Sequence, residues 1–172
     1  MATETPEGLR LYEFQGVEFT MNGTQGISAC PLCGKRRKFF VNKDNGKFSC
    51  KSCGEEGNKY TFMGRYFDNQ SEDRSTKDVN RIAKHRNLPA SIVKHAGVCI
   101  SDSDDILIRI NKPGRKFPVN LLRRPFNAEL DYNSPDCSTL FFIKWESKKK
   151  GPIYVCEGYW DGLALWALLQ RA

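Results

Sequence analysis

Four cysteines stand as two pairs, Cys30-Pro-Leu-Cys33 and Cys50-Lys-Ser-Cys53, with sixteen residues between them. Each CxxC is a tight turn that aims two thiolates at one point. Two such turns at this spacing match the pattern of a structural zinc site, in which four soft ligands close a tetrahedron and leave no open position. Cys30, Cys33, Cys50 and Cys53 are therefore the expected ligands of one Zn²⁺. A redox pair needs only one CxxC. Disulfides belong to oxidising compartments, and the polar stretch Met1 to Gly8 lacks the apolar core of an export signal.

The arm between the pairs reads as a β-hairpin: 38–41 and 47–49 flank Lys43-Asp44-Asn45-Gly46, where Asn-Gly favours a tight turn. It carries seven cations, Lys35, Arg36, Arg37, Lys38, Lys43, Lys47 and Lys51, against one acid, Asp44. Phe39, Phe40 and Phe48 are interleaved with them. Cations beside aromatics suit a single-stranded nucleic acid, whose backbone needs neutralising and whose bases need stacking partners. The same rings could instead form the hairpin's own core. Lys35, Arg36, Arg37, Lys38 and Phe39 are the contact candidates here. Residues 106–126 add Arg109, Lys112, Arg115, Lys116, Arg123 and Arg124 with no acid. A groove wall tracking phosphates and a solvated sheet face would both look like this; Arg115, Arg123 and Arg124 are the candidates taken from it.

A third constellation closes the chain. In Tyr154-Val155-Cys156-Glu157-Gly158-Tyr159-Trp160-Asp161, a short apolar strand delivers Glu157 at its carboxyl end and turns at Gly158 into an apolar helix. Carboxylates at that point of an α/β unit can hold Mg²⁺ or act as a base, although an exposed Glu at an ordinary turn has the same pattern.

The elements that must position these groups are partly legible. Residues 1–29 read as a strand-rich lead-in, and the polar run 68–77 as a linker. Ser75 and Asp78 have capping-box spacing, and Val79, Ile82 and Ala83 share a helical face, so a helix runs to Asn87 or Leu88, where Pro89 ends it. A second short helix fits 90–96, with Gly97 as its stop. Strands are expected at 106–110, 119–122, 140–143 and 153–156, with a turn at Pro113-Gly114. Lys148, Lys149 and Lys150 read as a loop, and His85 and His95 as ordinary helix or surface residues.

The 172 residues carry a formal charge of +7, and 40% are hydrophobic. That is enough for a real core and argues against wholesale disorder. The basic balance favours a polyanionic partner, nucleic acid first. The longest apolar run, 163–169, is far too short to span a bilayer, so no membrane partner is expected, and two CxxC pairs without an export signal favour a reducing, cytoplasmic setting.

The order of parts resembles bacterial-type, DnaG-like DNA primases and phage primase–helicases. CPLCGKRRKFFVNKDNGKFSCKSCGEEGN is similar to the primase zinc ribbon, and RNLPASIVKHAGV to the short helical segment before the polymerase core. NLLRRP and NSPDCSTLFF resemble the core's N-terminal subdomain, and IYVCEGYWDGLAL the first motif of the Toprim fold. The resemblance implies an α+β chain: a zinc-ribbon domain with its lead-in over 1–64, a linker over 65–79, the core's N-terminal subdomain over 80–150, and the first strand and helix of a Toprim fold over 151–172.

It also implies a function. Such proteins bind single-stranded DNA template, select a start partly through the ribbon, and join ribonucleotides into a short RNA primer with Mg²⁺ assistance, in some cases beside a replicative helicase. Glu157 matches the family's catalytic glutamate and Asp161 the supporting aspartate. Four cysteines, where bacterial members commonly have a histidine among the ligands, point to the phage branch. The Toprim fold uses further acids on later strands, so with Ala172 as the last residue the Mg²⁺ site is expected to be incomplete and the chain a part of a longer primase. The alternative is a non-catalytic zinc ribbon that binds single-stranded DNA or docks on a helicase.

Overall fold

The computed structural model describes residues 5–72, 76–112, 114–128, 132–137 and 156–170. The expected strands at 140–143 and at 153–155, the Lys148–Lys150 loop, Ser75 and Pro113 lie outside them.

The first half is a meander. Strands β1 (Thr20–Asn22), β2 (Gln25–Ser28), β3 (Phe39–Asn42), β4 (Phe48–Cys50) and β5 (Glu56–Gly57) form one antiparallel sheet in chain order. The expected hairpin is β3–β4, with Phe39 opposite Cys50 and Val41 opposite Phe48. Asn42 Oδ1 accepts the amides of Asp44 and Asn45, and Gly46 takes the positive φ (64°) that the turn requires.

The lead-in is only half strand. Glu7–Phe14 is a helix, α1, that buries Leu9, Leu11 and Tyr12. It lies on the hairpin turn: the Gly8 amide donates to Lys43 O at 2.9 Å, and Tyr12 Oη donates to Gly46 O at 2.6 Å. A Cβ on Gly8 would stand 2.5–2.7 Å from backbone atoms of Asn42, Lys43 and Gly46, so only glycine permits this approach.

Of the expected linker over 65–79, the described residues 65–72 and 76–79 are helical. α2 (Lys59–Glu72) begins at Asn58, whose side-chain oxygen accepts the amides of Tyr60 and Thr61, and it buries Phe62, Met63, Tyr66 and Phe67. Within the polar run 68–77, residues 68–72 are the end of α2 and residues 76–77 the start of α3 (Thr76–Arg86). α3 buries Val79, Ile82 and Ala83 as its pattern predicts, and ends where Asn87 turns left-handed (φ 50°) and the Leu88 amide reaches back to Ala83 O. α4 (Ala90–His95) follows Pro89.

Strands β6 (Val98–Ile100), β7 (Asp105–Ile110) and β8 (Asn120–Pro125) make a second antiparallel sheet in the order β6-β7-β8. Alternation sorts its side chains between two cores. Cys99, Leu107 and Leu121 join Leu9, Tyr12, Phe39, Phe48 and Phe62 under α1 and α2. Val98, Ile106, Ile108, Ile110 and Leu122 join Val79, Ile82, Ile92 and Val93 of α3 and α4, and Trp160, Leu163 and Ala167 of α5 (Tyr159–Leu169). The chain is thus α+β with antiparallel sheets, and the cysteine-bearing meander shares a core with the second sheet through α2.

Candidate metal centre and the surface it holds

Both knuckles follow one plan. The first lies between β2 and β3, and the second follows β4. In each, the amide of the first cysteine donates to the carbonyl five residues on, Cys30 to Lys35 and Cys50 to Glu55. The glycine after the second cysteine closes the loop, Gly34 donating to Cys30 O and Gly54 to Cys50 O, both with φ near 70°. The amides of Leu32 and Ser52 point at the Cys30 and Cys50 sulfurs from 3.4 Å. This repetition is why the two glycines follow the pairs in the sequence.

The knuckles bring the four sulfurs together. Cys30 Sγ and Cys53 Sγ are 4.0 Å apart, Cys33 Sγ and Cys50 Sγ are 3.8 Å apart, and all four lie within 4.8 Å of one another. Those separations are far beyond an S–S bond of about 2.05 Å. They fit a tetrahedron around a cation: with Zn–S near 2.3 Å, the sulfurs sit about 3.8 Å apart. The four cysteines are positioned to hold a metal ion, and the site is compatible with structural zinc. Burial pushes the Cys30 thiol well above its ordinary range. Burial acts the same way on Cys50, but the amides of Cys53 and Ser52 and the neighbouring Cys53 and Cys30 thiols outweigh it and bring Cys50 down to about 7. Four thiolates this close need a cation to be stable together, so metal loading and deprotonation are linked.

The first knuckle leads into Lys35, Arg36, Arg37 and Lys38, all exposed and none in an ion pair with a described residue. Arg37 holds φ 52°, unusual for a non-glycine residue, at the centre of this loop. Arg36 and Arg37 line a shallow groove with Phe19, Thr20 and Ile27.

Phe39 is not available to a base. It is fully buried and packs on Tyr12, Phe48 and Phe62. Its parity follows from Cys50, which must face the metal and is its cross-strand partner. Phe40, half-buried, takes the outer face instead. The cysteines fix this parity once the hairpin register is known.

Of the six cations over 106–126, Arg109 and Arg123 are held in ion pairs and Arg124 is buried. Arg123 donates to Asp105 Oδ2 (2.5 Å), Phe14 O (2.9 Å) and Ser103 Oγ (2.7 Å), bolting the end of α1 to the second sheet. Arg124 is 8% exposed on the opposite sheet face and offers little surface to a polyanion. Arg109 donates to Asp68 Oδ1 at 2.7 Å. Arg115 is exposed in the β7–β8 connection and stays accessible to a partner.

Glu157 is exposed immediately before α5, and Asp161, also exposed, is in its first turn with a carboxylate oxygen folded toward Gly158. Among the described residues, no third acid or histidine joins them; the only cluster able to hold a metal is the four cysteines. These two carboxylates alone do not make a magnesium site. No described helix is long and apolar enough to cross a membrane.

None of the protein-family models compared with the sequence matches it, and none of the curated proteins does either.

Proposed function

We propose that the chain is the template-binding part of a DNA primase: it holds single-stranded DNA on a zinc-stabilised ribbon and so contributes to RNA primer synthesis from ribonucleotides. The observation that carries the reading is the placement of Lys35, Arg36, Arg37 and Lys38. Four successive exposed cations, with no acidic partner among the described residues, hang from a knuckle that carries metal-directed cysteines. Cations held this way neutralise phosphates without first breaking internal ion pairs. The resemblance of the whole order of motifs to primases supplies the reaction, with zinc structural and Glu157 and Asp161 as the catalytic candidates.

A second reading, a non-catalytic single-stranded-DNA-binding or helicase-docking ribbon, is favoured by one observation: Glu157 and Asp161 lack a third ligand among the described residues. A primer-synthesis assay on single-stranded DNA with labelled ribonucleotides, Mg²⁺ and Zn²⁺ separates the two. Labelled RNA that is lost in Glu157→Gln supports the primase. DNA binding without RNA product supports the second reading. Absence of both product and binding refutes both.

A further inference from the structure

The outer face of the ribbon sheet has an order that the charge count alone hides. The registers place Thr20 opposite Ile27, Ile27 opposite Phe40, Phe40 opposite Ser49 and Ser49 opposite Glu56, one row across all five strands on the side away from the core. Phe40 is at its centre. It makes no ring contact with any described aromatic residue, whereas Phe39, Phe48 and Phe62 contact one another on the inner face.

Lys38 lies two residues before Phe40, and Lys47 and Lys51 lie two residues either side of its partner Ser49. Two residues along a strand is about 7 Å, so three lysines surround one partly buried ring at roughly a nucleotide's reach. The Lys51 amide donates to Lys38 O at 2.8 Å, which continues the ladder and sets Lys38 and Lys51 against each other. Directly opposed like charges destabilise a strand pair, and no described acid pairs with either lysine. An anion between them would relieve the repulsion. Glu56 bounds the row on the β5 side, and on the β2 side it adjoins a groove lined by Arg36 and Arg37 together with one acid, Glu18.

We infer that this face is a seat for one nucleotide of a single strand: the base stacks on Phe40, a flanking phosphate sits between Lys38 and Lys51, and the strand continues toward Arg36 and Arg37. The seat rests on the single-stranded-DNA reading above and assigns its contact residues. Stacking on a phenylalanine tolerates every base, so the seat is blind to base identity and needs the base unpaired.

The test uses the zinc-loaded chain and a short fluorescent single-stranded oligonucleotide, read by anisotropy, with zinc content and Tm checked for each variant. Phe40→Leu keeps an apolar side chain in place of the ring and is expected to weaken binding about tenfold. The loss should vanish on an oligonucleotide series carrying one abasic position at the site of contact. Lys38→Gln with Lys51→Gln should lower the slope of log affinity against log salt by roughly 0.7 for the one phosphate. Lys84→Gln, an exposed cation on α3, serves as the unchanged control. Tight binding by the parent chain with no effect of Phe40→Leu overturns the seat and leaves the single-stranded-DNA reading standing. No binding by the parent chain overturns both, and equal affinity for duplex of the same sequence overturns the stacking.

Discussion

Arg123 is the sharpest place to separate a phosphate contact from a structural strut. Its guanidinium makes three hydrogen bonds, to the Asp105 carboxylate, the Phe14 carbonyl and the Ser103 hydroxyl, with the side chain 21% exposed and that of Asp105 12% exposed. Arg123→Met retains much of the apolar stem and removes all three. Asp105 is then left as a carboxylate in a mostly dry site, with only hydroxyl help from Ser103. Removing one partner of a buried pair costs about 3–5 kcal/mol. The residual exposure of this pair places it at the lower end, about 3 kcal/mol. For a chain of this size each kcal/mol moves Tm by roughly 2–4 °C, so the zinc-loaded variant should melt about 6–12 °C lower. Asp105→Asn in the same chain should recover part of the loss, because the stranded charge is gone. Anisotropy on single-stranded DNA, taken well below the lowered Tm, should show affinity within about twofold of the parent, since the side chain is engaged inside the molecule. An unchanged Tm with a markedly weaker DNA affinity would refute the reasoning and return Arg123 to the template-contact set.

Other outcomes follow from the same structure. Native mass spectrometry should show one zinc per chain, lost in Cys50→Ser, and chelation should broaden the near-ultraviolet signal of the Tyr12–Phe39–Phe62 core that rests on the ribbon. Gly8→Ala should lower stability by about 1–3 kcal/mol in denaturant titrations despite alanine's better helix propensity, because its methyl meets backbone of the hairpin turn at 2.5–2.7 Å. His85, against the Phe126 ring, is held below its ordinary value by burial and then by Arg86, Arg124 and Arg81. The unfolded chain therefore takes up its proton first. Its contribution is fully present above the ordinary value near 6.5 and declines as pH falls through that value toward the lower folded one. An imidazole NMR titration should give a folded midpoint below 6.5, and His85→Gln should remove that part of the pH dependence.

The chemistry-bearing cysteines were readable because metal geometry forces their spacing, and α3, α4, β7 and β8 because their apolar periods are clean. α1 and α2 were not, and the reasons differ. α1 is eight residues long and is held by Gly8 and Tyr12 on a turn more than thirty positions away, a contact no local pattern announces. α2 ends in a polar turn, Asp68 to Glu72, whose composition imitates a linker. What makes it a helix is the far end, where Phe62, Met63, Tyr66 and Phe67 bury against both sheets. In the candidate site, the cationic run is legible as charge, but which cations face solvent depends on partners. Arg123 and Arg109 find acids across the fold, whereas Lys35 to Lys38 find none among the described residues. Phe39 and Phe40 differ by one position and take opposite faces, so their roles follow from register, which adjacency does not provide.

The shared core also bears on portability. A cut after residue 64 would sever α2 between Met63 and Tyr66 and strip Leu107, Leu121 and Cys99 from above Leu9, Tyr12 and Phe62. The cysteines would still find their metal, yet the excised piece would carry a bare apolar underside and associate through it. A self-standing version needs all of α2 and a polar resurfacing of its far face. Transplanted without these, the ribbon would be a sticky fragment, because the surface that would have to become its exterior is the floor of its neighbour.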